Sequence, residues 1–194
     1  MTSFLAVLTI VTIAAITPGP NNFIVMSASL RGGVAAALPA LAGVIAGSIS
    51  LLVLVWAGAG KLFEVIPESQ SILRILGAAY LIWLGFRLIR TANRSDENKG
   101  ERALPETMWG VASFQMLNPK SWVLVVTAIS AVDGTLVGMA SLAMIFVAVM
   151  GLCLTIWSVA GQLISHWLVN PRSKRIFDTI IGAILMASAA TLLP

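Results

Sequence analysis

Residues 14–33 read AAITPGPNNFIVMSASLRGG, two prolines, a glycine and two asparagines set in a run otherwise fit for hydrocarbon. Proline lacks an amide hydrogen and its ring crowds the carbonyl four residues earlier, so Pro18 and Pro20 free backbone carbonyls around residues 14–16. Deep in a bilayer, freed backbone persists only where protein or a water-filled cavity satisfies it. Gly19 permits a sharp bend and close approach, and Asn21 and Asn22 supply donors and acceptors beside it. The helix that resumes after the break turns free N–H groups, with a partial positive charge, toward the gap. Such a gap suits a carboxylate, and the loose carbonyls suit an ammonium, so both ends of an amino-acid zwitterion find partners. The competing reading is a packed kink whose asparagines bind neighbouring helices.

The rest of the chain supports membrane depth for this stretch. Of 194 residues, 58% are hydrophobic and 10% charged, and mean hydropathy is +0.95, whereas a soluble domain carries about 25% charged residues. Apolar runs of about 20 residues, enough to cross the hydrocarbon core, recur along almost the whole length. They are continuous rather than alternating, which points to helices and against a β-barrel. The expected fold is an all-α integral membrane protein with spans at about 3–30, 35–60, 70–90, 108–131, 137–165 and 175–193. The apolar stretch 134–169 is longer than one span needs, and a single tilted helix accounts for it. No Lys or Arg precedes Arg31, so the first apolar run lacks the basic region of a secretory signal and reads as a retained span. Cys153, alone in an apolar run, reads as packing.

Charge is distributed unevenly among the connections. Arg31 follows the first span, Arg87, Arg90, Arg94, Lys99 and Arg102 follow the third, and Arg172, Lys174 and Arg175 follow the fifth. The opposite connections hold only Lys61 and Arg74, and the turn at Asp133 holds no basic residue. The positive-inside bias makes the first group cytoplasmic and turns both termini outward. The net charge of +4 is thereby read as topology and solvated loop rather than as a nucleic-acid surface, with lipid headgroups as its other candidate partner.

Each set of three spans opens with a proline-broken helix, TPGPNN in the first and MLNPKSW in the fourth. The third spans, RILGAAYLIWLG and DTIIGAILMASA, align with Gly77 on Gly182. An odd number of spans per repeat inserts the second half upside down, so the reading is one transmembrane domain over 1–194. It comprises repeat one at 1–90, a cytoplasmic loop at 91–107 and repeat two at 108–194, with the broken helices facing each other as in secondary transporters. The second break contributes Gln115, Asn118, Pro119 and Lys120. An ionised lysine at mid-membrane costs about 2.5–3.5 kcal/mol, so Lys120 should face a cavity or a partner. It either attracts a substrate carboxylate and takes part in proton coupling, or braces the broken helix through loose carbonyls. Asp178 reads as a cap or ion pair, with proton coupling as its other role. Trp157, Ser158 and Gln162 line the path or pack; His166 beside Trp167 reads as interfacial. Gly43 and Gly47 let helices approach, and Pro39 bends or starts the second span.

With TPGPNN, GAAYLIWLGFRLIR and FQMLNPKSW, the chain resembles the LysE-type amino-acid exporter family, which includes the homoserine and threonine exporters. The likeness covers nearly the whole chain, and the first element and third span look especially like the branch that exports cysteine and O-acetylserine. The resemblance implies a multi-pass protein of the bacterial inner membrane, without cofactors, that exports amino acids or close derivatives using the proton gradient. It makes Pro18, Gly19, Pro20, Asn21, Asn118, Pro119 and Lys120 motif positions. Asn22 and Gln115 join them as substrate-binding candidates, and Lys120 and Asp178 as proton-coupling candidates. Glycine and alanine stripes are compatible with a homodimer. A redox enzyme would need facing cysteines, and an intramembrane protease a Ser–His dyad, an HExxH zinc site or paired aspartates. The alternatives retained are a metal-ion or other small-solute exporter, for which hard carboxylate ligands are scarce, and a non-transporting regulatory membrane subunit.

Overall fold

Proline and glycine punctuate this chain, and the helices begin and end at them. The structure, a computed structural model, describes residues 2–66, 68–92, 104–168 and 170–190, so Arg94, Lys99 and Arg102 lie outside the described residues. Helix α1 spans Thr2–Ile16 and α2 spans Pro20–Leu54, followed by a π-helical turn at Val55–Ala59 and α3 at Gly60–Val65. Then come α4 (Glu68–Ala92), α5 (Met108–Leu117), α6 (Pro119–Ser130), α7 (Leu136–Ser165) and α8 (Pro171–Ala190). No strand occurs among the described residues.

The interruptions expected at Pro18–Pro20 and Asn118–Pro119 are present, between α1 and α2 and between α5 and α6. A further one lies inside α2, where Gly32 (φ −150°, ψ 24°) and Gly33 (φ 71°, ψ −171°) leave helical geometry and divide it into residues 20–31 and 34–54. Gly33 needs its missing side chain there, because positive φ strains residues carrying a Cβ. Gln162 Oε1 accepts from Val34 N at 3.0 Å and caps the resumed helix, so Gln162 is a capping residue rather than part of the path. Helix α8 starts at Pro171, earlier than the expected 175, because Asn170 Oδ1 accepts from Arg172 N at 2.9 Å and opens the helix there. In the turn before α7, Asp133 Oδ1 accepts from Thr135 Oγ1 (2.8 Å) and N (3.1 Å). Those bonds hold its carboxyl below the usual range.

Among the described residues, three helical stretches are long and apolar enough to cross a membrane: Pro20–Ala59, Glu68–Ala92 and Leu136–Ser165. Their outward faces carry large exposed apolar side chains, Leu152, Met144, Leu163, Ile75 and Phe86 among them. Water does not tolerate so much contiguous apolar surface, and lipid does.

Inside, α2 packs chiefly on α7 and α5, α1 on α7, and α4 on α8. Glycines set these distances. A Cβ on Gly43 would lie 2.5 Å from Met108 O, and one on Gly47 would lie 2.7 Å from Gln115 Cβ, so α2 and α5 touch backbone to backbone as their spacing suggested. Gly182 packs on Gly85, where a Cβ would come 2.5 Å from Gly182 O. Gly77 receives the second break, where a Cβ would come 2.6 Å from Leu117 O.

The described basic residues of the first group gather at one end of the bundle. Arg31 pairs with the buried carboxylate of Glu106, and Arg175 Nε donates to Ala92 O at 3.3 Å. The end of α2's first segment, the end of α4 and the starts of α5 and α8 therefore share that end. At another corner Trp56 Nε1 donates to Gly134 O at 3.0 Å, tying the turn after α2 to the turn before α7.

Candidate functional site

At the first break the freed carbonyls acquire side-chain donors. Asn22 Nδ2 donates to Ala15 O (3.1 Å) and Thr17 O (2.8 Å), and Trp157 Nε1 donates to Ile16 O at 3.3 Å. The Trp157 ring also stands edge-on to Phe23, centroids 6.0 Å apart. Pro20 opens α2 behind Gly19, which offers no side-chain cap, so the first N–H groups of α2 stay open toward the gap.

The second break is handled in the same currency. Asn118 Oδ1 accepts from Lys120 N at 3.1 Å and caps α6, while Trp122 Nε1 donates to Met116 O at 2.8 Å. Behind it, Gln115 is fully buried. Its Nε2 donates to Ser48 Oγ (2.7 Å) and Val44 O (3.3 Å), and its Oε1 accepts from Ser121 Oγ (2.8 Å) and Asn118 Nδ2 (3.4 Å). Every hydrogen-bonding position of that amide is directed at α2, α5 or α6.

The two breaks face each other across a single cavity. Its polar lining is Gly19, Pro20, Asn21, Asn22, Asn118, Lys120 and Ser121; Ala14, Ala15, Val44, Leu124, Met150 and Leu154 complete it. Lys120 Nζ reaches across to Thr17 O at 3.4 Å, and a Cβ on Gly19 would come 3.3 Å from that ammonium, so glycine leaves the lysine its room. Asn21 Oδ1 is buried without a hydrogen-bond partner. No lining residue is acidic; the lining joins a cation, the uncapped start of α2 and Asn21, whose Oδ1 is buried without a partner. The free space of the cavity is about 30 Å³.

Of the residues singled out by sequence, Gly19, Pro20, Asn21, Asn22, Asn118 and Lys120 come together here, whereas Pro18, Gln115 and Pro119 do not line the cavity. Gln115 holds the broken backbone with its whole amide, whereas Asn22 does so with its Nδ2 alone and stays in the cavity lining. Asp178 lies away from the cavity, in electrostatic reach of Lys174 and Arg31. Ser158 is fully buried and off the lining. Sequence reading passed over Trp122 and left Trp157 undecided. A tryptophan one turn past Asn-Pro was a local signal for the first; the second acts over 141 residues, beyond any local pattern. Trp157→Phe keeps the ring beside Phe23 but strands Ile16 O, and is expected to destabilise by about 1 kcal/mol, read as a lowered thermal midpoint in detergent.

Two proline-broken helices meet around a polar cavity inside an apolar helical bundle, the build of an integral membrane protein whose interrupted backbone is satisfied by protein groups. The chain belongs to the LysE type translocator family, whose model matches residues 12–194. It is similar to the cysteine/O-acetylserine efflux proteins of Escherichia coli (strain K12), 30% identical over 118 residues, and of Salmonella typhimurium (strain LT2), 34% identical over 118 residues. Each match covers 61% of this chain and 59% of the relative, so the chain spans about three fifths of the length of these curated relatives. No solved structure matches it.

Proposed function

We propose that the chain is a secondary exporter of small amino acids or their close derivatives, of the kind named by its cysteine/O-acetylserine efflux relatives. One observation carries the reading: Lys120, the open start of α2 and the unpartnered Asn21 Oδ1 share a cavity without any acid. Lys120 and the helix N-terminus take the carboxylate; Asn21 Oδ1 takes the ammonium. An unneutralised positive charge disfavours cationic solutes, which counts against the metal-ion alternative. Among the described residues no group of three His, Cys, Asp or Glu side chains stands ready for a metal either.

In this reading the chain crosses the inner membrane six times as two inverted three-span repeats, 1–90 and 108–194, joined by a cytoplasmic loop, with both termini outside. Helix pairing supports it. The third spans, α4 and α8, pack on each other, α2 packs on α7, and α1 contacts α6, as a pseudo-twofold axis between the halves requires. The Arg31–Glu106 end is cytoplasmic by its basic residues. Proton entry supplies the free energy, and Lys120 is the coupling group favoured over Asp178 because it alone of the two touches the cavity.

Inside-out vesicles containing the protein, given an imposed proton gradient, are expected to accumulate labelled L-cysteine or O-acetylserine well above empty vesicles. Equal signals from the two preparations overturn the exporter. Flux that appears only when a stoichiometric partner co-purifies favours the regulatory subunit instead.

A further inference from the structure

A zwitterion held with its carboxylate at Lys120 and its ammonium at Asn21 points its third substituent at what remains of the cavity wall. Of that remainder Asn22, Asn118 and Ser121 are polar, while the side that α7 supplies, Met150 and Leu154, is apolar. Met150 and Leu154 stand one turn apart on the same face of α7, and both are buried. Helix α7 runs unbroken from Leu136 to Ser165, so the two side chains keep their one-turn register on it. On the α1 side the wall is small, Ala14 and Ala15, and α7 supplies two of its largest apolar side chains.

We infer that Met150 and Leu154 form the side-chain subsite of the transported amino acid, an apolar stop on α7 that sets how long a side chain the cavity accepts. The inference rests on the exporter reading above. Two consequences follow from the chemistry of the wall. A long polar or charged side chain would leave its polar atoms without partners there and is rejected. A long apolar one meets the stop, with each surplus methylene worth about ten- to two-hundredfold in discrimination. Small neutral side chains therefore fit best. Met150 is the adjustable element, since its unbranched thioether fills an irregular gap and its truncation removes Cγ, Sδ and Cε without touching the polar end.

The experiment compares wild type, Met150→Ala and Leu154→Ala, each purified as the full chain in detergent, by calorimetric titration with L-serine, L-cysteine, L-leucine and L-methionine separately. Met150→Val, a smaller truncation, stands in should Met150→Ala not fold. Wild type is expected to favour L-serine and L-cysteine, and truncation of Met150 to raise the affinity for L-leucine relative to L-serine at least about tenfold. Wild type that binds the small amino acids while the truncations keep its ranking overturns the subsite and leaves the exporter standing. Wild type that binds none of the four overturns both.

Discussion

Lys120→Met is expected to lower the initial rate of amino-acid efflux by about one to two orders of magnitude while the protein still inserts at normal levels. The methionine keeps the length and apolar stem of the side chain and removes only the ammonium. In the closed cavity that ammonium has a single carbonyl partner, Thr17 O at 3.4 Å, so its loss costs the resting structure little. A charge-assisted bond to a substrate carboxylate is worth about 1.5–3 kcal/mol, which converts to roughly ten- to a hundredfold at about 1.4 kcal/mol per decade. Lys120→Arg separates charge from shape. It retains the cation but needs room beside Gly19, where a Cβ would already meet the lysine nitrogen at 3.3 Å, so it should recover only part of the rate. Vesicle efflux with expression measured in parallel is the check, and wild-type rates and affinity in Lys120→Met would remove the lysine from the mechanism.

Gln115→Leu is expected to produce the largest loss of stability among single changes near the site. Leucine fills a similar volume but leaves Ser121 Oγ and Asn118 Nδ2 without their acceptor and takes the donor from Ser48 Oγ and Val44 O. The two stranded donors at about 1–3 kcal/mol each give roughly 2–6 kcal/mol, or about 4–24 °C in thermal midpoint for a chain of this size. The low end applies to the extent that the unfolded helices find other partners in the membrane. Gly47→Val should add to the damage, since its Cβ meets Gln115 Cβ at 2.7 Å with both helices held by their backbones. Thermal unfolding in detergent reads both. A midpoint for Gln115→Leu within a degree or two of wild type would mean the amide is not the bracket that joins α2, α5 and α6.

These expectations separate residues that looked alike in the sequence. Asn21 and Asn22 are adjacent and chemically identical, and both fitted a substrate role. One turns its Nδ2 back onto Ala15 O and Thr17 O, and the other keeps an unpartnered oxygen beside the cavity. Which is which depends on the path the chain takes through the break, a matter of side-chain direction that composition does not carry. Gln115 was misplaced for the same reason. Its spacing one turn before Asn118 was legible, but the serines that engage it come from α2 and α6.

The sequence by itself determined where helices start and stop and that lipid surrounds them. Proline's missing N–H, glycine's tolerance of positive φ and the length of an apolar run are local properties that need no neighbours to act. The segregation of basic residues was equally open to reading. Only the tertiary structure decided which loose carbonyl meets which donor. Trp157 reaches Ile16 O from far along the chain, Lys120 reaches Thr17 O from the other break, and Gly182 lies on Gly85. Hydrogen bonds and close backbone contacts are set by distances of a few tenths of an ångström, and such distances exist only once the helices have packed.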